Sequence, residues 1–404
     1  MSRPRSLADE LEDGPLRREV FGAPPEPGAA PPEPSFRARL VFDGTGAEYF
    51  RIWVVNVLLT LLTLGLYSAW AKVRKARWFA QHTSLMGDRF DYHGRPWRIL
   101  LGRVLALGLL VLWTWSFDLS LWLGVAVLGL MLAVGPLLFA SAQRFRLAST
   151  SWRGLRFGFD APRAEVYRVC VPLLLVWTLG SVAAAAGAPD AWVAATTAVL
   201  ALLLPWAHAR LKQLQHAHAS FGGHGFAFER AGTAFYGLYA KAVALAIVGT
   251  TLASLATALV LRARQDAGVP AAAAAVDGAD DPLHILLATS AVLLVAWLVA
   301  WPYFAARAQQ IVWGRTRWAG QVGFEGRMRG SALWTLTAGQ TALTLLSAGL
   351  YWPFAAVAIA RYRIESVELV SGQPLQELTV TAPPAAGRAT GDAAADLFGL
   401  DLGW

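Results

Sequence analysis

Cysteine is all but missing: Cys170 is the single one in 404 residues, so no disulfide can form within the chain. Lying in an apolar run, it reads as a small buried hydrophobe. Charge is scarce too, at 15% of residues, where soluble domains carry roughly 25%. Eight stretches have no Asp, Glu, Lys or Arg at all: 52–71, 104–117, 119–143, 169–189, 191–209, 242–261, 285–306 and 330–360. That distribution excludes a soluble globular protein. About 20 apolar residues at 1.5 Å each cross a hydrocarbon layer of roughly 30 Å, and most of these stretches reach or approach that length. The chain therefore reads as a polytopic α-helical membrane protein.

Catalytic signatures are also lacking. There is no P-loop, no GxSxG, no HExxH and no pair of carboxylates within an apolar run, so neither an enzyme nor a cofactor is expected. His208, His216, His218 and His224 lie close in sequence, but His216 and His218, two residues apart, point to different helix faces, with no cysteine or paired carboxylate beside them. They read as solvated interfacial histidines and not as a metal site.

What is present falls into three zones. Residues 1–35 hold eight of the 21 prolines and no apolar core, which describes a disordered tail and not a signal peptide. Residues 36–381 form the membrane domain, with an extracytoplasmic insertion at 262–281. Residues 382–404 form a second disordered tail, ending in the acidic and apolar string from Asp396 to Trp404, which reads as a frayed terminus.

Within the membrane domain a short unit recurs: Thr83 to Tyr92, Thr150 to Phe159, Ala219 to Phe228 and, with one extra residue, Arg317 to Phe324. Pro136, Pro205 and Pro302 each stand 18 residues before the glycines Gly154, Gly223 and Gly320, and Ala69 stands 18 before Gly87. Each unit predicts a β-hairpin with glycine in the turn and aromatics alternating on its second strand. Arg39 to Gly44 matches the second strand alone, and Ile364 to Val370 is a degenerate last copy. Since a lone hairpin is marginal in water, the copies are expected to pair into a β-layer. The first and last helical regions also match, at an offset of 284. Asn56 aligns with Gln340, Thr60 with Thr344, Thr63 with Ser347, Gly65 with Gly349, Tyr67 with Tyr351 and Arg77 with Arg361.

Charge sets the topology. On the hairpin side lie 25 Lys and Arg, against Arg262 and Arg264 opposite, so the hairpins are expected in the cytoplasm. Six transmembrane helices follow: 97–117 with 119–147, 165–186 with 190–217, and 233–261 with 283–311. Residues 49–83 and 331–365 are too long for one span and too short for two. Broken near Gly65 and near Gly349 and Pro353, they read as two re-entrant helical hairpins related by a pseudo-two-fold axis. Single straight spans in those regions are the competing reading. Both termini then lie in the cytoplasm.

The run Phe42-Asp43-Gly44, Glu48 to Asn56 and Leu61 to Arg74, continued by Phe79, Thr83, Gly87, Phe90 and Tyr92, resembles the bacterial YjgN-like family, also catalogued as DUF898. The resemblance covers most of residues 36–370 and is most specific over the first 70 of them. Trp78 stands where the family tends to have tyrosine, which keeps an aromatic. The resemblance implies an inner-membrane protein of unestablished activity, and points to a membrane metallopeptidase as a candidate protein partner.

Asn56, Thr60, Thr63, Gly65 and Tyr67, with Gln340, Thr344, Ser347, Gly349 and Tyr351, form two polar stripes near helix breaks. Polar groups at membrane depth are costly unless satisfied, which marks these residues as a candidate substrate or ion path. The plainer alternative is interhelical glue, worth about 0.6 kcal/mol per bond. Lys72, Arg74 and Arg77 with Trp70 leave the bilayer together and are candidates for membrane-lipid head groups, set against ordinary snorkelling. Nucleic acid is not an expected partner, because the basic residues follow the loops as topology requires. Oligomeric state is not legible. Two functions fit this pattern: a transport or permeation protein for solute, ion or lipid, and a non-transporting scaffold whose β-layer and tails hold a protein partner.

Overall fold

The computed structural model describes residues 36–266 and 282–373. Both expected tails, and most of the 262–281 insertion, lie outside the described residues. Residues 262–266 do not begin a loop but continue the preceding helix.

The chain runs through β1 (Phe36–Phe42), α1 (Gly46–Leu62), α2 (Ser68–Gln81), β2 (Thr83–Leu85) and β3 (Asp88–Tyr92). It continues with α3 (Pro96–Leu119), α4 (Leu121–Ser149), β4 (Thr150–Trp152), β5 (Leu155–Phe159), α5 (Arg163–Ala185), α6 (Asp190–Ala217), β6 (Ala219–Phe221) and β7 (His224–Phe228). The last part holds α7 (Gly232–Asp266), α8 (Pro282–Trp313), β8 (Thr316–Trp318), β9 (Val322–Gly326), α9 (Gly330–Leu346), α10 (Trp352–Glu365) and β10 (Val367–Ser371). Helix pairs and strand pairs thus alternate.

Local chemistry accounts for the punctuation. Thr45 caps α1 through a capping box: its hydroxyl accepts from Glu48 N at 3.4 Å while its own N–H donates to the Glu48 carboxylate at 3.2 Å. Four strand hairpins turn on residues with positive φ: Met86-Gly87, Arg153-Gly154, Gly222-Gly223 and Ala319-Gly320. In the two-residue loops both central residues lie there, as type I′ turns require, which explains the fixed glycine. The fourth loop keeps the same pair and spends its extra residue on Gln321, whose N–H closes onto Trp318 O at 3.2 Å.

The strands correct the expected fold. They do not form an open β-layer but a closed antiparallel barrel of ten strands, in the order β1-β10-β9-β8-β7-β6-β5-β4-β3-β2. The two segments without hairpin partners close it: β1 pairs with β10, in the register Phe36↔Ser371, Ala38↔Leu369 and Arg39↔Glu368. Closure removes the two unpaired edges that a layer would leave, and strands of three to seven residues could ill support open edges.

The helices follow suit. Each packs on the next in sequence, and α10 packs on α1, so the helical layer is a closed ring as well. Among the described residues this makes five units, each a helical hairpin with a strand hairpin, the fifth completed by β1. A pseudo-two-fold body of six spans and two inserted hairpins is therefore not what the chain builds: α1–α2 and α9–α10 are wall elements like the others. Among the described residues, four segments are long and apolar enough to cross a membrane: Pro96–Leu119, Leu121–Ser149, Asp190–Ala217 and Gly232–Leu252.

Apolar side chains fill the barrel. Ala38, Leu85, Trp152, Phe221, Trp318, Val322 and Leu369 form its buried core. Trp152, Phe221 and Trp318 sit in consecutive rings with centroids 5.6 Å apart at each step. Each large side chain so buried contributes about 1.5–3 kcal/mol. Satellite cores tie barrel to helices: Phe42 packs with Tyr49, Trp78 and Val357, Tyr92 with Ile99 and Phe145, and Phe159 with Val166 and Leu214. The buried Trp78 lies 5.0 Å from the Tyr49 ring and 5.9 Å from that of Phe42, which explains why an aromatic is needed there. Outside, the barrel is charged. Arg37, Arg39 and Arg327 converge on Glu368, Arg89 meets Asp43, and Arg153 meets Asp88.

Candidate functional site

The two polar stripes are the same structure made twice. Helix α1 ends with Gly65 N donating to Thr60 O at 2.8 Å and Leu64 N to Leu61 O at 3.2 Å. At the end of α9, Gly349 N donates to Thr344 O at 2.8 Å and Ala348 N to Leu345 O at 3.1 Å. These crossed bonds are a Schellman ending. Leu64 and Ala348 occupy its left-handed position at φ 49° each, and the glycines follow at φ 92° and 91°. The chain then reverses into α2 or α10.

The hydroxyls of the stripes are consumed in building this reversal. Thr60 Oγ1 donates to Asn56 O at 2.6 Å and Thr344 Oγ1 to Gln340 O at 2.7 Å. Thr63 Oγ1 donates to Leu59 O at 2.7 Å and accepts from Tyr67 N at 2.9 Å, while Ser347 Oγ donates to Thr344 O at 3.1 Å and accepts from Tyr351 N at 2.9 Å. Tyr67 stacks on Trp70 at 6.3 Å and Tyr351 on Phe354 at 5.2 Å. Eight of the ten stripe residues are thus accounted for by the turns.

The amides remain. Asn56 is 7% exposed, and its Oδ1 has no hydrogen-bond partner in the chain; Gln340 Oε1 is likewise buried without one. Leaving such an acceptor buried and unmet costs about 1–3 kcal/mol. Both host helices pack on α10, and no hydrogen bond joins the two amides. Nothing in the turn geometry requires either amide.

The basic cluster divides. Arg77 Nε donates to Tyr92 O at 3.2 Å, and its counterpart Arg361 donates to Gly44 O at 2.8 Å. Both arginines thereby hold the passage from strand to helix. Arg74 is exposed, Lys72 half-buried, and Trp70 is exposed on the outer surface.

Sequence reading missed a polar face on α6. His208 and His216, expected to be solvated, are buried, and Lys212 and Gln215 are buried with them. The signal was available: Gln143, Lys212 and Gln309 each stand 11 residues before a turn glycine, and all three are buried. His218 keeps a half-buried ion-pair position 3.1 Å from Glu165. Among the described residues no group of histidine, cysteine and carboxylates is placed to hold a metal.

Apolar helices under a charged-skinned barrel define an integral membrane protein. The chain belongs to the family described as bacterial protein of unknown function (DUF898), whose model matches residues 37–397. It is similar to the inner membrane protein YjgN of Salmonella typhimurium strain LT2, 34% identical over 148 residues. It is similar also to the YjgN proteins of Escherichia coli O157:H7, at 34% over 148 residues, and of strain K12, at 32% over 146. Each match covers 35% of this chain and 36% of the relative, so about a third of the relatives' length is spanned. No solved structure matches.

Proposed function

We propose that this is a transport or permeation protein of the bacterial inner membrane, whose cargo, a solute, ion or lipid, meets the chain at Asn56 and Gln340. The observation that carries the reading is the pair of buried, unpartnered amide oxygens at matching positions in α1 and α9. Hydroxyls at the same stripes are satisfied within their own helices, so the amides are the groups left over for a visitor. The recurrence of one hydrogen-bond set at an offset of 284 supports descent of the units from a common repeat. The charge bias of the barrel side supports a cytoplasmic barrel with both termini beside it. Because rings fill the barrel, a path along its axis is disfavoured, and passage between helices fits better.

The filled barrel also supports a second reading: a non-transporting scaffold whose charged exterior holds a protein partner, for which the family resemblance points to a membrane metallopeptidase. Single cysteines at 56 and 340, in a Cys170→Ala background, separate the two. Reaction of both positions with a membrane-impermeant thiol reagent is the expected result. Protection from both sides of the membrane, with an exposed control at Arg74 reacting, would refute permeation in favour of the scaffold.

A further inference from the structure

The buried face of α6 is distinct from the amide pair and stands whether or not cargo passes there. His208, Lys212, Gln215 and His216 occupy positions i, i+4, i+7 and i+8, which lie on one side of a helix. Lys212 is 3% exposed, and the other three are 5–6% exposed. Their surroundings are basic. The charges of Lys212 and of Arg146 on α4 both act on His216, and that of Lys212 acts on His208. Arg146 also donates to the buried Gln143 at 3.2 Å. Of the elements packed on α6, α5 carries one carboxylate, Glu165, which pairs with His218 at 3.1 Å, α7 has only Asp266 at its far end, and β7 has none; α6 itself has only Asp190, also at its far end.

Two groups on this face point to a ligand. Both amide atoms of Gln215, Nε2 and Oε1, are buried without a hydrogen-bond partner in the chain, and so is His208 Nε2. Each such orphan costs free energy, and three of them beside two cations are wasteful in a purely structural core. A packed apolar face would serve stability better. An oxyanion resolves the arrangement, because several oxygens accept at once from ammonium, guanidinium, amide and imidazole N–H groups.

We infer that the buried basic face of α6, together with Arg146 and Gln143 of α4, binds a phosphate-type oxyanion, either free or carried as a lipid head group. The test uses the full chain in an alkyl maltoside detergent, which contains no phosphate. In one arm inorganic phosphate is titrated and followed by calorimetry. In the other, phosphatidylglycerol is added and followed by native mass spectrometry. Saturable binding in either arm is expected, the arm that saturates identifying the source. Lys212→Met should weaken it at least tenfold, and so should Gln215→Leu, which leaves both cations in place and guards against misfolding of the first variant. Arg74→Gln, at an exposed cation, should leave it unchanged. The inference is overturned if neither ligand saturates the wild-type chain, or if binding survives unchanged in both variants when they remain folded by size exclusion and circular dichroism.

Discussion

Replacing Glu368 with glutamine tests how the barrel is shut. The Glu368 side chain is 5% exposed and receives Arg327 at 2.7 Å, Arg39 at 3.2 Å and Arg37 at 3.3 Å. It lies opposite Arg39 across the β1–β10 seam and opposite Glu325 across β10–β9, so one carboxylate serves both sides of the closing strand. The three arginines are 41–62% exposed, which keeps each contact near the 0.2–1 kcal/mol of a solvated ion pair. Together with the buried position of the carboxylate, the loss should be about 2 kcal/mol, or roughly 30-fold in the opening equilibrium of the seam. Hydrogen exchange resolved by peptide reads this directly. Seam amides within residues 36–39 and 368–371 should exchange about 30-fold faster in Glu368→Gln, and those of β4 to β6 should not change. Arg39→Gln, which removes one mostly exposed partner, should give less than about fivefold. The reasoning fails if the seam exchanges as in the unmodified chain, or if acceleration is uniform around the barrel, since the carboxylate would then not be what holds the closing strand.

Further expectations concern the turns, the cap and the aromatic core. Ala348→Gly relieves a left-handed alanine and should raise the thermal midpoint, while Gly349→Ala, at φ 91° with open space around the new methyl, should lower stability by about 1–2 kcal/mol through the backbone alone. The Thr45 N–H holds the Glu48 carboxyl below its ordinary pKa, with the Thr45 hydroxyl adding to the effect. Its folded-state pKa being depressed, this contribution is present above the unfolded value of about 4.3 and is lost as pH falls through the lower folded value. Thermal melts of Glu48→Gln should therefore lack that acid-side component. Trp78→Ala should cost about 3–5 kcal/mol, while Trp78→Tyr, which keeps a ring against Phe42 and Tyr49, should retain most stability in the same melts.

How much of this was legible depends on sequence distance. The turn glycines and the fixed spacing to Pro136, Pro205 and Pro302 mark the hairpins, because type I′ geometry leaves a local residue signature. Closure leaves none: β1 and β10 meet across more than 300 residues, and neither carries a turn of its own. The match between α1 and α9 suggested a two-fold partner because those two units share the most residues at one offset, while the extra Gln321 obscures the fourth. Asn56 and Gln340 stood out as amides in apolar runs, but the sequence could not show that the neighbouring hydroxyls are spent on the Schellman turns. His208 and His216, weighed with His218 and His224 only as metal ligands, look solvated. Only their shared helical face with Lys212 and Gln215 reveals a buried group.

The register that pairs Phe36 with Ser371 also governs the order of assembly. During synthesis the first strand of the barrel leaves the ribosome long before its last neighbour exists, so one of its edges stays open through the translation of every helix. A contact of such sequence separation forms late, after the loop entropy of the whole chain has been met. Loss of β10 (Val367–Ser371) therefore leaves not a smaller barrel but an unclosed one with two bare edges, which is the form of this protein most exposed to aggregation and proteolysis.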